Sequence, residues 1–339
     1  MHTPRRLAAN STDDADDPQT FTHRTARTNG IRMHFVEEGR GPLLLLLHGF
    51  PYLWYMWRRQ IRPLAAAGYR VVAADLRGFG RSDCPGEVHR YEMLQSVADL
   101  VGLLRALGER TAVVIGHDLG AWLAYAAAQT RPDLFTALVM LNTPAGPREK
   151  CKPSDAWLRL QADTGKRLYH HYFQQAGVAD AEMNADVRKT LRSVHYSVSG
   201  SATAAERWRP LLSEGERLLD TMTDPAALPE WLSEKALDYY ASEYARNGFS
   251  APLNHYRNRD RNWEQGAFLD GLVLQQPALF IGGAADPALA LIRPLYERLE
   301  EHLPNLRRKL LLEGVGHSVA EERPEEASRL LLEFLGQLS

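Results

Sequence analysis

Short apolar runs alternate with longer amphipathic segments over most of this chain. Runs of the buried-strand type occupy residues 43–47 and 112–116, and segments with helical periodicity occupy residues 54–67 and 93–107. A short apolar run between turn residues is typical of a strand that is buried on both faces. Strands that alternate with such helices predict an α/β fold, in which a mostly parallel, twisted sheet is flanked by helices.

Further elements extend this pattern toward both ends of the chain. Residues 21–27 and 31–37 flank Asn29-Gly30, which is a strong signal for a hairpin turn. The remaining apolar runs and helical segments predict strands at 70–75, 136–141, 278–282 and 307–312 and helices at 119–128, 290–302 and 324–338.

The alternation lapses in the middle of the chain. Between residues 145 and 268, helix-like segments rich in aromatic residues and arginine replace it, and no convincing buried strand is found. A helical insertion within an open sheet explains this pattern most simply. We therefore expect a disordered tail at 1–19, a core domain formed by 20–144 and 269–339, and a helical cap, or lid, at 145–268.

Composition limits the classes of partner. The chain has 339 residues, 45% of them hydrophobic and 24% charged, with a formal net charge of -2. Such a near-neutral balance gives no electrostatic basis for binding nucleic acid or an anionic membrane. Cys84 and Cys151 lie far apart without metal-ligand spacing, so we expect two free thiols and no metal site.

The hydropathy pattern also bears on location. No stretch reaches the roughly 20 apolar residues that a membrane span requires. The N-terminal segment, which is rich in aspartate, lacks the apolar centre of a signal peptide. We therefore expect a soluble, cytoplasmic protein.

The stretch 113–120 carries the candidate chemistry. A strand-like run of valine and isoleucine stops at the turn Gly116-His117-Asp118-Leu119-Gly120, and a helix of small residues follows at once. This arrangement is typical of a nucleophile elbow, in which a tight strand-to-helix turn presents one side chain. Aspartate before a helix is also a favoured N-cap, but glycines on both sides of Asp118 favour the elbow.

A carboxylate at an elbow predicts a different reaction from that of the usual serine. Asp118 would attack a saturated, electrophilic carbon that bears a strained ring oxygen or a halide, and would become an alkyl ester. Water must then hydrolyse that ester, so a general base and an oxyanion hole are required. We assign the oxyanion donors to the backbone N–H groups of Phe50 and Leu119, and we expect His48 and His117 to brace these loops.

The general base and its acidic partner should follow the nucleophile along the chain. His317 is the candidate base, because it lies in a glycine-rich loop directly after the last predicted strand. Asp286 is the candidate acid, since it lies just past a strand end, where it would orient the imidazole. Asp270 is the fallback, although it precedes that strand, and Asn142 offers no carboxylate at the end of the strand 136–141.

Several motifs together resemble the soluble epoxide hydrolases of the α/β-hydrolase superfamily. The core motifs are HGFP at 48–51, DLRGFGRSD at 75–83, GHDLG at 116–120 and GVGH at 314–317. The insertion resembles the lid of this family at 168–177 and 252–263, and the match extends over nearly the whole chain from about residue 20. The resemblance implies an α/β-hydrolase fold with a helical cap and an enzyme that converts epoxides to vicinal diols.

The resemblance also implies the roles of individual residues. The two tyrosines that open the epoxide ring in the family fall on Tyr256 and Tyr169, with Tyr172, one helical turn away, as an alternative donor. Asp118 is the nucleophile, and His317 activates water. We expect a small-molecule epoxide and water as the partners, no cofactor, and a monomer or homodimer. The substrate pocket is expected to include Pro51, Trp54, Trp122 and Tyr172.

Two departures from the family pattern leave the substrate open. Leu119 and Ser318 stand where many relatives have an aromatic residue, which changes the expected shape of the pocket. A haloalkane or haloacid dehalogenase with the same aspartate is an alternative, although Leu119 cannot bind a halide or a carboxylate. Trp54 or Trp122 would then have to bind the halide. A catalytically retired ligand-binding protein is a more remote alternative.

Overall fold

An eight-stranded sheet forms the centre of the computed structural model, which describes residues 16–338. The strands of the chain are β1 (His23–Thr28), β2 (Ile31–Gly39), β3 (Leu43–Leu47), β4 (Arg70–Ala74), β5 (Ala112–His117), β6 (Phe135–Leu141), β7 (Arg167–Leu168), β8 (Leu211–Leu212), β9 (Ala278–Gly283) and β10 (Leu306–Leu312). The sheet has the order β1-β2-β4-β3-β5-β6-β9-β10.

Six neighbouring strands of the sheet, from β4 to β10 in its spatial order, run parallel, and β2 pairs antiparallel with β1 and β4. The predicted mostly parallel sheet is therefore confirmed. The hairpin turn between β1 and β2 has positive φ at Asn29 (43°) and Gly30 (77°), as a type I′ turn requires. Strand β3 consists of five leucines that are all buried, because both faces of a central parallel strand are covered.

In the part of the chain that the structure describes, three α-helices precede the insertion: α1 (Arg58–Ala66), α2 (Met93–Leu107) and α3 (Leu119–Thr130). Helix α1 packs on β2 and β4, and α3 packs on β5 and β6. The first turn of α3 lies very close to the sheet. A Cβ atom at Gly120 would lie 2.2 Å from the carbonyl oxygen of Leu47, and one at Gly116 would lie 2.1 Å from the carbonyl oxygen of Gly120. Glycine is therefore required at both ends of this turn.

Between β6 and β9 the chain is mostly helical. Its helices are α4 (Pro153–Thr164), α5 (Tyr169–Tyr172), α6 (Val178–Asn184), α7 (Val187–Ser197), α8 (Glu234–Asn247), α9 (Ser250–Arg257) and α10 (Arg259–Gln265). The sequence predicts no strand here, yet β7 and β8 form an antiparallel ribbon. Each strand has two residues, which is too short for a period-two pattern to be seen.

The last part of the chain contains α11 (Leu289–Glu297), α12 (Leu299–His302), α13 (Val319–Glu322) and α14 (Pro324–Leu335). The single helix predicted at 290–302 is thus two helices, because Arg298 leaves the helical region with φ -105° and ψ 13°. The helix predicted at 54–67 begins as a 3₁₀ turn, Trp54–Trp57. The Trp54 N–H at the start of that turn donates to Asp75 Oδ1 over 3.0 Å.

The predicted tail at 1–19 requires a correction at its end, whereas residues 1–15 lie outside the described part of the chain. Asp16 is buried and accepts hydrogen bonds from Arg58 Nε (2.9 Å) and Ser233 Oγ (2.8 Å). Residues Pro18–Thr20 form a 3₁₀ turn that is capped by Asp17. Residues 16–19 are therefore part of the fold, in which Asp16 is one of two carboxylates that pair with the buried guanidinium of Arg58.

Two further expectations concern the whole chain. Cys84 and Cys151 are free thiols, as expected. Among residues 16–338, no helix combines the length and the apolarity that crossing a membrane requires.

The close approach at the first turn of α3 predicts that Gly120→Ala is strongly destabilising. The added methyl group would meet the backbone of β3, which cannot move without disturbing the sheet, and overpacking of this kind costs about 1–3 kcal/mol. Gly266→Ala is the matched control, because a Cβ at Gly266 meets nothing within 4 Å. Urea unfolding of both variants measures the difference, and equal midpoints for the two would contradict the argument.

Candidate active site

The turn between β5 and α3 holds Asp118 with φ 52° and ψ -119°. Positive φ is rare for a residue with a side chain, and such a conformation costs about 1–3 kcal/mol. The Asp118 carbonyl accepts hydrogen bonds from the N–H groups of Ala121 (2.9 Å) and Trp122 (3.3 Å), which begins the helix. The carboxylate itself makes no capping hydrogen bond. N-capping therefore does not explain why aspartate stands here.

The loop after β3 contacts one oxygen of this carboxylate. The Phe50 N–H donates to Asp118 Oδ1 over 2.9 Å. A Cβ at Gly49 would lie 2.3 Å from the Asp118 Cβ, so the loop can approach only because residue 49 is glycine. Leu119 opens α3, and the first N–H groups of a helix have no intrahelical acceptor. Of the two predicted oxyanion donors, the Phe50 N–H thus contacts the carboxylate, and the Leu119 N–H belongs to the residue that follows Asp118.

His317 lies on the other side of the carboxylate. Its Nε2 is 3.5 Å from Asp118 Oδ2, and its Nδ1 is 2.7 Å from Asp286 Oδ2. The other oxygen of Asp286 accepts the Ala288 N–H over 2.8 Å, which fixes the carboxylate. With Asp286 bound at Nδ1, Nε2 is the nitrogen that faces the elbow. The structure therefore brings Asp118, His317 and Asp286 together as one chain of contacts.

These contacts determine the charges of the site. Burial would raise the pKa of Asp118, but its hydrogen bond to His317 and the charge of that residue lower the pKa to about 2. Burial would lower the pKa of His317, but the charge of Asp286 and the hydrogen bonds to Asp118 and Asp286 raise it to about 10. At neutral pH the site thus holds an aspartate ion beside an imidazolium ion.

The fallback acid and the two histidines that are expected to brace the loops have different surroundings from His317. Asp270, the fallback acid, is exposed at the surface. The Leu76 N–H donates to His48 Nε2 over 3.0 Å, and His48 Nδ1 lies 2.8 Å from the Gly49 carbonyl. His117 Nε2 lies 2.6 Å from the carbonyl oxygen of His317, and burial lowers the pKa of His117 to about 4. Both histidines hold backbone loops in place, which agrees with the bracing role expected for them.

A cavity of about 810 Å³ opens in front of Asp118. Its walls include Asp118, Leu119 and His317 from the elbow side, and Tyr169 and Tyr256 from the helices between β6 and β9. The predicted pocket residues Pro51 and Trp122 also line it. Most of the remaining wall is aromatic or aliphatic, so the cavity suits a largely apolar small molecule.

The two tyrosines that are predicted as hydrogen-bond donors both line this cavity. Tyr256 is buried, with its ring 5.8 Å from that of Phe50, and the Tyr169 ring lies 4.7 Å from that of Trp208. Within the described residues, neither hydroxyl has a hydrogen-bond partner from the protein. Burial, and then the negative charge of Asp118, raise the pKa of both phenols. Both phenols therefore remain protonated at neutral pH.

Two residues expected in the pocket lie outside it. The Trp54 indole N–H donates to the Tyr239 hydroxyl over 2.8 Å, in the packing beneath the first strands, and does not line the cavity. The Tyr172 hydroxyl donates to Glu182 Oε2 over 2.7 Å, and this residue does not line the cavity either. Both expectations are corrected, because the polar group of each residue is hydrogen-bonded to a side chain that does not line the cavity.

The sequence reasoning missed two residues that contact this site. The ring of His170 lies 4.2 Å from that of Tyr169 and 5.2 Å from that of Tyr256, and burial lowers its pKa to about 3. Asn142 donates from Nδ2 to the carbonyl of Gly316 over 2.8 Å, beside Asp286. The position of Asn142 at the end of β6 could have indicated that it lies at the site. No sequence pattern points to His170, except that it directly follows Tyr169.

No group of metal ligands accompanies this site. Within residues 16–338, no three His, Cys, Asp or Glu side chains lie close enough together to hold a metal ion. The polar groups of the cavity are instead a carboxylate, an imidazole, two phenols and backbone N–H groups. Together these can form a covalent ester, stabilise an oxyanion and activate water.

Named epoxide hydrolases are among the known proteins with similar sequences. A family model described as the alpha/beta hydrolase fold matches residues 42–324. The chain is 40% identical to epoxide hydrolase A of Mycobacterium tuberculosis over 317 residues, which cover 93% of this chain and 97% of that protein. It is 37% identical to an epoxide hydrolase of Caballeronia sordidicola over 308 residues, which cover 91% of this chain and 92% of that protein.

Solved structures give the same picture. An epoxide hydrolase from an endophytic Streptomyces superposes with a TM-score of 0.90 at 43% identity, covering 94% of this chain and 96% of that one. Epoxide hydrolase A from Mycobacterium thermoresistibile superposes with a TM-score of 0.87 at 42% identity, covering 93% of this chain and 98% of that one.

The ion pair at the elbow predicts how the pKa of His317 responds to Asp118→Ala. A negative neighbour favours the imidazolium ion, so its removal should lower the pKa of His317 by about 1–3 pH units. NMR titration of ring-labelled histidines measures this value, with His317→Gln identifying the resonance. Asp270→Asn, which changes an exposed carboxylate, should leave the pKa of His317 unchanged. An unchanged or higher value in Asp118→Ala would show that the pair is not coupled in this way.

Proposed function

The chain belongs to the epoxide hydrolases of the α/β-hydrolase superfamily, and we propose that it converts epoxides to vicinal diols through a covalent ester on Asp118. The observation that carries this proposal is the arrangement around that carboxylate. One oxygen accepts the Phe50 N–H, the other faces His317, and two phenols line the same cavity. We assign residues 145–268 to a cap that supplies both phenols and the rest of the fold to the core.

In the first half-reaction, Asp118 Oδ2 attacks one ring carbon of the epoxide, because Oδ1 already accepts a backbone N–H. A bond forms between Oδ2 and that carbon while the bond from carbon to the ring oxygen breaks. The electron pair of the broken bond stays on the ring oxygen, which Tyr169 and Tyr256 stabilise by hydrogen bonds. Because their pKa values are raised, the phenols do not remain ionised at the end of the step.

Proton balance links this step to the next. Formation of the ester removes the negative charge of Asp118, so one of the two carboxylates that raise the pKa of His317 is lost and only Asp286 remains. His317 therefore releases its proton to solvent. The product hydroxyl takes a proton from solvent by way of the phenols, so formation of the ester does not itself require the imidazole. The neutral imidazole, still oriented by Asp286, is then the general base that the second half-reaction needs.

In the second half-reaction, His317 takes a proton from water, and the resulting hydroxide attacks the Asp118 carboxyl carbon. The negative charge that develops on Oδ1 is stabilised by the N–H groups of Phe50 and Leu119. Collapse of this intermediate breaks the bond between the carboxyl carbon and Oδ2, and His317 returns the proton to the departing alkoxide. The diol carries away one aspartate oxygen, and water replaces it. The new carboxyl group of Asp118 then passes its proton to His317, which restores the ion pair.

The site supports the alternative functions less well than epoxide hydrolysis. A dehalogenase needs donors for the halide, but Leu119 has an apolar side chain and the Trp54 indole is bound to Tyr239, which leaves Trp122 as the one predicted halide donor on the cavity wall. A ligand-binding protein without catalysis would not need an ion pair between Asp118 and His317, nor Asp286 bound to the other nitrogen of that imidazole. Relatives that are 37–40% identical to this chain are also named for epoxide hydrolysis.

The two-step proposal predicts that His317→Gln accumulates the ester. Alkylation needs Asp118 and the phenols, whereas ester hydrolysis needs the imidazole, so this variant should stop after the first half-reaction. Mass spectrometry of the intact protein after mixing with styrene oxide should show an increase of one substrate mass. Asp118→Ala should show no such increase and no turnover.

A single turnover of the wild-type enzyme in heavy-oxygen water gives an independent measurement. The first diol should contain only light oxygen, and the label should appear in the Asp118 carboxyl group. Heavy oxygen in that first diol would mean that water attacks the epoxide directly, and the covalent step would then be wrong.

The positions of the phenols predict a clear ranking of tyrosine variants. Tyr256→Phe and Tyr169→Phe each remove a donor to the developing alkoxide, so each should lower the alkylation rate about 100-fold. Tyr172→Phe is the matched control on the same short helix as Tyr169, because its hydroxyl faces Glu182. Pre-steady-state kinetics measure these rates. A larger loss in Tyr172→Phe than in Tyr169→Phe would reverse the assignment of the donor.

A further inference from the structure

A second buried carboxylate lies directly behind the catalytic histidine. Glu322, at the end of α13, is 6% exposed. Its Oε2 accepts the Gly316 N–H over 3.0 Å, and its Oε1 accepts the Ser318 N–H over 3.0 Å. The two N–H groups belong to the residues on either side of His317. The carboxylate therefore fixes the backbone from which the imidazole projects.

The same carboxylate reaches the helical segment between β6 and β9. Its Oε2 also accepts the Gly200 N–H over 2.8 Å. The His317 N–H also donates to the Val198 carbonyl over 2.8 Å. We call this line of contact between the histidine loop (residues 314–318) and residues 198–200 the seam. Glu322 thus joins three backbone positions, two in the histidine loop and one in the insertion.

The packing of this seam is too close for most side chains. A Cβ at Gly316 would lie 2.3 Å from the Val198 carbonyl oxygen, and one at Gly200 would lie 2.1 Å from the Gly314 carbonyl oxygen. The histidine loop and residues 198–200 therefore meet backbone to backbone. In such a seam, three N–H groups without an acceptor would be costly, and a carboxylate can accept all of them.

We propose that Glu322 is a positioning residue for the second half-reaction, holding His317 at the ester through the N–H groups of Gly316, Ser318 and Gly200. This inference rests on the two-step function proposed above. The groups that act in alkylation, Asp118 and the two tyrosines, lie on other elements. We call the three hydrogen bonds that Glu322 accepts the Glu322 clamp. Loss of this clamp should therefore slow hydrolysis of the ester far more than its formation.

Glutamine is the informative substitution at this position. Glu322→Gln keeps the size of the side chain but replaces one acceptor oxygen with an NH₂ group, which donates and cannot accept. At least one of the three N–H groups would then face a donor. A displacement of the imidazole by about 1 Å costs about 100-fold in rate, so we expect ester hydrolysis to slow by about 10- to 100-fold.

The experiment measures both half-reactions in the full-length protein. Rapid mixing with styrene oxide, followed by quenching and mass spectrometry, gives the rates at which the alkyl-enzyme forms and decays. In Glu322→Gln, decay should fall about 10- to 100-fold and formation by less than about threefold, so the ester accumulates in the steady state. Glu325→Gln is the matched control, because Glu325 is an exposed carboxylate on the next helix.

Each outcome decides the inference. Equal losses in both half-reactions, or decay as fast as in wild type, would overturn it. If Glu322→Gln does not fold, Glu322→Asp tests the same clamp with the charge kept and the reach shortened, and it should slow decay selectively. If the wild type itself never forms the ester, the proposed function fails first. A wild-type ester with unchanged decay in both variants refutes only the role of Glu322.

Discussion

The site depends on the close backbone approach of three segments around one carboxylate. A Cβ at Gly49, Gly116 or Gly120 would lie 2.3, 2.1 or 2.2 Å from its nearest neighbouring atom. This packing brings the Phe50 N–H to Asp118 and holds Asp118 at its positive φ of 52°. A looser turn would relieve the strained backbone, but it would also separate the nucleophile from its oxyanion donor. The strain and the chemistry thus have a common origin.

Burial makes the charges of this site both costly and useful. Asp118 is only 8% exposed, and a buried carboxylate is stable only when it is paired and hydrogen-bonded. His317 and the Phe50 N–H fulfil that requirement in the resting enzyme. When the carboxylate becomes an ester, the same histidine loses its partner and becomes a base. The groups that stabilise the resting charge are therefore the groups that act next.

The sequence predicted the parts of this structure that carry a local signal. The hairpin at Asn29-Gly30, the buried leucines of β3 and the elbow turn each have one. The direction of Tyr172 has none, because a helix of four residues shows no periodicity, and Glu182 on the next helix binds its hydroxyl. The partner of Trp54 lies far along the chain, on α8. Tertiary contacts of this kind are absent from any local pattern.

The two departures from the family pattern have different consequences for the pocket. Leu119 lines the cavity, so an aliphatic side chain forms the wall beside the nucleophile. Ser318 does not line the cavity, since its hydroxyl is hydrogen-bonded to that of Tyr52. Tyr52 is itself one of the residues that line the cavity. An aromatic residue is thus present beside the histidine loop, but it comes from the segment after β3, so residue 318 alone does not reveal the shape of the pocket.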